Sequence, residues 1–269
     1  MREEVKTVIV IAVIASLIGA GYLAIHSMSG VSPPFTVVES QSMQHSRESE
    51  IGIIDTGDLI LVKSPSKTSI TSYVEGYADD YSKFGEYGDV IIYKRDNRNP
   101  VIHRAIVWLD YDDSIGKWSA PSLAGYSNDL WVSNNGNDYS DLAGTFTFTL
   151  KYKAGYEKTV SIDIDTLQKK SGYLTMGDNP ENNYFDQRSI VPGRLISVDG
   201  IRSVAWKEIP WLGSLKLYFN GNTGALDNWA PNSLPNLCAA ILTIILTIGG
   251  TGFAIDEFSL MRARRKLGL

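Results

Sequence analysis

The sequence predicts a mainly β domain held between two membrane helices, and three observations carry that prediction. Two apolar runs without a charged residue, Thr7–Ile25 and Leu237–Ile255, are each close to the length that crosses a bilayer. Between them the chain breaks into short apolar or alternating runs separated by Gly, Asp, Asn and Pro, which is the punctuation of strands. The single cysteine, Cys238, excludes an intrachain disulfide, so the segment between the runs must be held by its own core. A folded outer domain without disulfides fits a prokaryotic surface protein.

The composition sets further bounds. Of 269 residues, 43% are hydrophobic and 20% charged, an ordinary balance for a folded chain. The net charge of -5 argues against nucleic acid as a main partner. The first apolar run is longer than the core of a cleavable leader, the reading that competes with a membrane anchor. A buried core helix is the competing reading for the second. Arg2 and Lys6 precede the first run, and Arg262, Arg264, Arg265 and Lys266 follow the second. Positive charge on the outer flank of each run puts both ends in the cytoplasm. The expected boundaries are a cytoplasmic N-terminus (1–6), a membrane helix (7–25), an extracytoplasmic domain (26–236), a second membrane helix (237–255) and a basic cytoplasmic tail (256–269).

Taken in order, Phe35–Val38 reads as a strand running into Glu39-Ser40-Gln41-Ser42-Met43. Leu59–Lys63 is a short buried strand after the turn at Gly57-Asp58. The Ser-, Tyr- and Gly-rich stretch 64–87 reads as a mobile excursion. Gly88-Asp89 opens the strand Val90–Tyr93, and Asp96–Pro100 makes a hairpin loop into the strand Val101–Leu109. Alternation puts Val101, His103, Ala105 and Val107 on one face of that strand and Ile102, Arg104, Ile106 and Trp108 on the other. Residues 110–170 read as an inserted small α+β subdomain, with strands at 130–132, 145–152 and 159–162. A short helix is expected from a capping-box start at Asp165-Thr166-Leu167-Gln168. Tyr173–Met176 is a further strand, 177–188 a polar loop, and strand character returns over 190–204. The aromatics Trp206, Trp211, Tyr218, Phe219 and Trp229 suit either a headgroup belt or core packing.

Ser42 is a candidate nucleophile, and a serine hydroxyl is weak until a neighbouring base takes its proton. The chain has three histidines. In an extended chain His45 points away from Ser42, and His26 sits at the membrane edge, which leaves His103. Lys63 and Lys94 are alternatives in principle, though a lysine base must be desolvated to be neutral. An acid to orient an imidazole is offered twice on one loop, by Asp178 and by Asp186.

In order, Ser40-Gln41-Ser42-Met43, Gly57-Asp58-Leu59-Ile60-Leu61-Val62, Gly88-Asp89-Val90-Ile91-Ile92-Tyr93, Val101-Ile102-His103-Arg104-Ala105 and Leu174-Thr175-Met176-Gly177-Asp178-Asn179-Pro180 resemble the boxes of type I signal peptidases. The histidine places the resemblance with the archaeal and endoplasmic-reticulum branch. It covers about Phe35–Val62, Gly88–Trp108 and Tyr173–Ile209. It implies a signal-peptidase-like β catalytic domain beside the membrane, with Ser42 as nucleophile and His103 as general base. The orienting acid is Asp186, with Asp178 as the second acidic position. Ser40 and the Ser42 backbone N–H would line the oxyanion hole. The implied activity is serine endopeptidase cleavage of N-terminal signal peptides after small residues. The implied partners are pre-proteins bearing those peptides, membrane lipid and the translocation machinery, with no cofactor and no metal. Three features depart from the family pattern: Gln41 stands where Gly is usual, the link from Met43 to the first Gly-Asp is longer, and so is the spacing from Asp178 to Asp186. A non-catalytic, membrane-anchored surface-binding domain is the competing function. Such a module has no reason to bring Ser42, His103 and an Asp together.

Overall fold

Between the two apolar runs the chain folds around one antiparallel sheet, and the runs themselves are helices. The computed structural model describes residues 3–96 and 98–267. Of the expected cytoplasmic ends, Met1, Arg2, Gly268 and Leu269 lie outside the described residues, as does Asn97 of the expected hairpin loop.

Helix α1 (Glu3–Ser29) carries the first apolar run and α5 (Ser233–Leu267) the second. The windows Thr7–Ser29 and Ser233–Gly250 are long and apolar enough to cross a membrane. Their 18-residue apolar windows bury 0% and 11% of their residues, so neither is a core helix of the domain. Gly30, at φ +70, ends α1 by donating to the His26 carbonyl, a backbone conformation that glycine adopts without a Cβ clash. The Ser29 carbonyl then accepts from Ser64 N at 2.8 Å and ties the helix end to the sheet.

The sheet is built from β1 (Phe35–Val37), β2 (Leu59–Lys63), β5 (Val90–Arg95), β6 (Arg98–Asp112), β11 (Gly172–Met176) and β12 (Ile201–Ile209). Their spatial order is β1-β2-β12-β5-β6-β11, with β7 (Lys117–Ser119) on the far end of β6. All the pairings are antiparallel. Strand β6, between β5 and the edge strand β11, is covered on both faces: Ala105, Ile106, Val107 and Leu109 are all buried. Full burial of an aliphatic chain of this size contributes roughly 1.5–3 kcal/mol. Three apolar clusters flank the sheet, the largest under the inserted segment and centred on Phe146, Phe148, Trp131 and Leu174.

Several expectations are corrected. The stretch 64–87 is not a loose excursion. It holds α2 (Tyr73–Asp79), β3 (Ser82–Lys83) and β4 (Glu86–Tyr87). A reciprocal capping box between Ser72 and Glu75 starts α2, and its Tyr73 and Val74 are buried. The inserted segment is β without an α-helix: β8 (Trp131–Val132), β9 (Thr145–Lys151) and β10 (Glu157–Asp163) form their own antiparallel sheet. The helix expected after Asp165 is one 3-10 turn, Ile164–Thr166. The Asp163 side chain caps it, and buried Leu167 then turns the chain back to extended backbone. Of 190–204, only a single bridge from Ile196 to Tyr173 and the start of β12 at Ile201 are strand; Pro192-Gly193 turns the chain with Gly193 at φ +68, and Val198–Gly200 is a 3-10 turn. Two short helices, α3 (Ser214–Phe219) and α4 (Thr223–Trp229), lead into α5. The nearby aromatics divide: Tyr218 and Phe219 are exposed, while Trp206, Trp211 and Trp229 are half-buried.

Candidate active site

The extended backbone of β1 does not continue through Ser42. It stops at Ser40, and Gln41–Met43 form a 3-10 turn closed by Gln44 N donating to the Gln41 carbonyl at 3.0 Å. Met43 is buried and anchors the turn, which leaves Ser42 half-buried at its apex. Ser40 Oγ lies 3.4 Å from Ser42 Oγ. The turn removes the reason for pointing His45 away from Ser42, since that reason assumed an extended chain. His45 goes elsewhere for a different reason: its Nε2 lies 4.0 Å from Asp178 Oδ2. Burial acts against a charged His45, but the Asp178 carboxylate outweighs it and the pKa is raised.

His103 sits on β6 opposite Ile91 of β5. The same register sets Tyr93 opposite Val101 and Thr175 opposite Ala105, so His103, Tyr93 and Thr175 share one face of the sheet. All three converge on Asp186. His103 Nδ1 is 2.7 Å from Asp186 Oδ2, and the hydroxyls of Tyr93 and Thr175 each donate to that same oxygen at 2.6 Å. His103, Asp186, Tyr93 and Thr175 are all buried. A carboxylate only accepts, so Nδ1 carries a proton, and in the neutral tautomer fixed this way the lone pair is on Nε2. Burial first, and then the Asp186 charge, push the Tyr93 phenol up, so it stays a donor.

Gly177 is the spacer between this pair and the serine turn. A Cβ built on it would stand 2.9 Å from His103 Nε2 and 2.2 Å from the Ser42 carbonyl oxygen. The glycine is there for close approach, and any larger residue would push the two segments apart. The loop after it then clamps the turn. Asn179 N and Asn182 Nδ2 donate to the Ser42 carbonyl at 3.1 and 2.9 Å, and Asn182 Nδ2 also reaches the Gly177 carbonyl at 2.9 Å. Asn179 Nδ2 donates to the Gln41 carbonyl at 2.8 Å. What the structure uses of Gln41 is therefore its backbone. Ser42 Oγ makes no hydrogen bond to His103, and contacts of this kind commonly close only when substrate is bound.

Of the two acids on the loop, only Asp186 bonds His103, and Asp178 is paired with Arg104 instead. It lies against the opposite face of β6, where Arg104 Nε is 2.9 Å from Oδ1 and 3.1 Å from Oδ2, and Nη2 also bonds Oδ2. The remaining Arg104 donors go to the carbonyls of Lys83, Glu86, Tyr87 and Gly88. Burial alone would raise the Asp178 pKa; the guanidinium outweighs it and the net shift is downward. The alternative bases are also placed elsewhere. Lys63 Nζ stacks 4.3 Å from the Trp206 ring centroid, and Lys94 is exposed.

The residues that sequence reasoning passed over are Tyr93, Thr175, Gly177 and Asn182. Period-two alternation could have found the first two, once β5 and β11 were paired with β6. Nothing local marks Asn182, whose role depends on a loop folding back over Ser42. Among the described residues, no group of three or more His, Cys, Asp or Glu side chains could hold a metal ion. No protein-family model matches this chain, and no curated protein or solved structure matches it either.

Proposed function

We propose that this protein is a membrane-bound serine endopeptidase of the type I signal peptidase kind, which removes signal peptides from exported pre-proteins after small residues. In this reading α1 and α5 span the membrane with both ends cytoplasmic, and the domain between them lies outside. Ser42 Oγ attacks the scissile carbonyl carbon while His103 Nε2 takes the hydroxyl proton. Asp186 holds the imidazole tautomer and stabilises its charged form. The Ser40 hydroxyl and Ser42 N–H face the oxyanion. His103 then returns the proton to the leaving amine, and a water molecule deacylates Ser42 by the same base.

The observation that carries the reading is the buried His103–Asp186 pair, whose free Nε2 meets the Ser42 turn across Gly177. A surface-binding module has no use for that arrangement. The test uses the purified full chain in detergent with a pre-protein bearing a signal peptide. Wild type cleaves it at a small residue. Ser42→Ala and His103→Ala do not, while each remains folded under the assay conditions. Full activity in either variant contradicts the proposal, and a wild type that binds the pre-protein without cutting it favours the surface-binding reading.

A further inference from the structure

Lys158 lies on β10, in the inserted segment that the family resemblance does not cover, and no step of the proposed reaction uses it. Its ammonium leaves the inserted sheet and donates to three backbone carbonyls of one loop: Pro180 at 2.6 Å, Asn179 at 3.3 Å, and Asn182. An ammonium with three donors can satisfy three carbonyls turned the same way, which otherwise repel one another. This is the loop whose Asn179 N and Asn182 Nδ2 converge on the Ser42 carbonyl. Tyr156, on the turn entering the same strand, adds a weaker contact from its hydroxyl to the Asp178 carbonyl at 3.4 Å. The hairpin is itself fixed. The Tyr73 hydroxyl both accepts from Lys151 N and donates to the Lys151 carbonyl at 2.8 Å, and Lys153 N donates to Glu86 Oε2 at 2.7 Å.

We infer that Lys158 is a positioning residue for Ser42: through the carbonyls of Asn179, Pro180 and Asn182 it holds the loop that fixes the nucleophile's backbone. The inserted segment thus acts as a strut on the active site. The catalytic half of this inference rests on Ser42 being the nucleophile, and the mechanical half does not.

The experiment therefore reads both halves in the full chain in detergent, comparing wild type, Lys158→Met, Lys158→Arg and Asn182→Ala. Amide hydrogen exchange is followed at Asn179 and Gln44, whose N–H groups close on Ser42 and Gln41, with the β5–β6 amides as the control for an intact fold. Lys158→Met is expected to speed exchange at both reporters and to lower kcat about 10-fold or more, with KM within about two-fold of wild type. Lys158→Arg, which keeps the charge and its donors, is expected to recover most of both. Asn182→Ala should reproduce the loss with Lys158 in place, which keeps the inference testable if Lys158→Met fails to fold. Unchanged reporters and kcat in Lys158→Met, or a rise in KM alone, overturns the inference. If wild type shows no Ser42-dependent cleavage, the peptidase reading falls, and the exchange at Asn179 and Gln44 still decides whether Lys158 holds the turn.

Discussion

His103 and Arg104 are consecutive on β6, and each is paired with an aspartate from the one loop that follows β11. On the His103 face, Asp186 takes three donors on one oxygen and leaves His103 Nε2 open toward the serine turn. On the Arg104 face, every guanidinium nitrogen is spent, on Asp178 or on the carbonyls of residues 83–88. One pair keeps a reactive atom in reserve, and the other closes a knot. The two pairs differ in what they leave unsatisfied: the first has an atom that the proposed reaction would use, while the second is spent on the fold.

Substitutions on the two faces should therefore fail in opposite ways. His103→Ala is expected to lower kcat by about 10³-fold or more and to cost roughly 1–2 kcal/mol in urea unfolding, as one of the three donors to Asp186 is lost. Arg104→Met strands the buried Asp178 charge and is expected to cost about 3–5 kcal/mol in urea unfolding. Adding Asp178→Leu to Arg104→Met should recover part of that loss, since the uncompensated charge goes with it. A smaller effect is expected from Tyr93→Phe, which removes one of three donors to Asp186: about 1 kcal/mol, or roughly five-fold in kcat. Equal stability losses from His103→Ala and Arg104→Met would dissolve the contrast between the faces.

Stability against pH sharpens the contrast further. Asp178 has a lowered pKa, so its contribution is present above the ordinary carboxylate range and is lost as the pH falls. Asp55, Asp58 and Glu208, behind the loop that follows the serine turn, run the other way. Burial pushes each up to about 7, from 3.8 for the aspartates and 4.5 for the glutamate. Acids raised on folding stabilise fully below their unfolded values, and that contribution fades as the pH rises through about 7. Urea unfolding between those limits should show stability falling with pH, and Asp55→Asn should flatten the slope.

Much of this was legible in the sequence. The strands around the site, the two apolar helices and the pleat that separates His103 from Arg104 follow from local pattern. The division of labour between Asp178 and Asp186 was not, because both sit on one polar loop and only the register of β11 on β6 decides which face each reaches. The turn at Gln41–Met43 was also hidden: side chains of Asn179 and Asn182, far away in the chain, clamp its carbonyls. The α2 capping box at Ser72 and Glu75 was written in the residues, but a stretch rich in Ser, Tyr and Gly masked it. The strut from Lys158 depends on the inserted segment packing against the loop that follows β11, which no local signal encodes.

The division between the two aspartates is tested most directly by kcat for pre-protein cleavage in Asp186→Asn and Asp178→Asn, measured side by side on folded protein. Asp186→Asn is expected to keep the fold and lower kcat about 10²–10⁴-fold, because an amide no longer secures the His103 tautomer. Asp178→Asn is expected to lose stability while its folded fraction retains kcat near wild type. The reverse pattern, with Asp186→Asn active and folded Asp178→Asn inactive, would contradict the account.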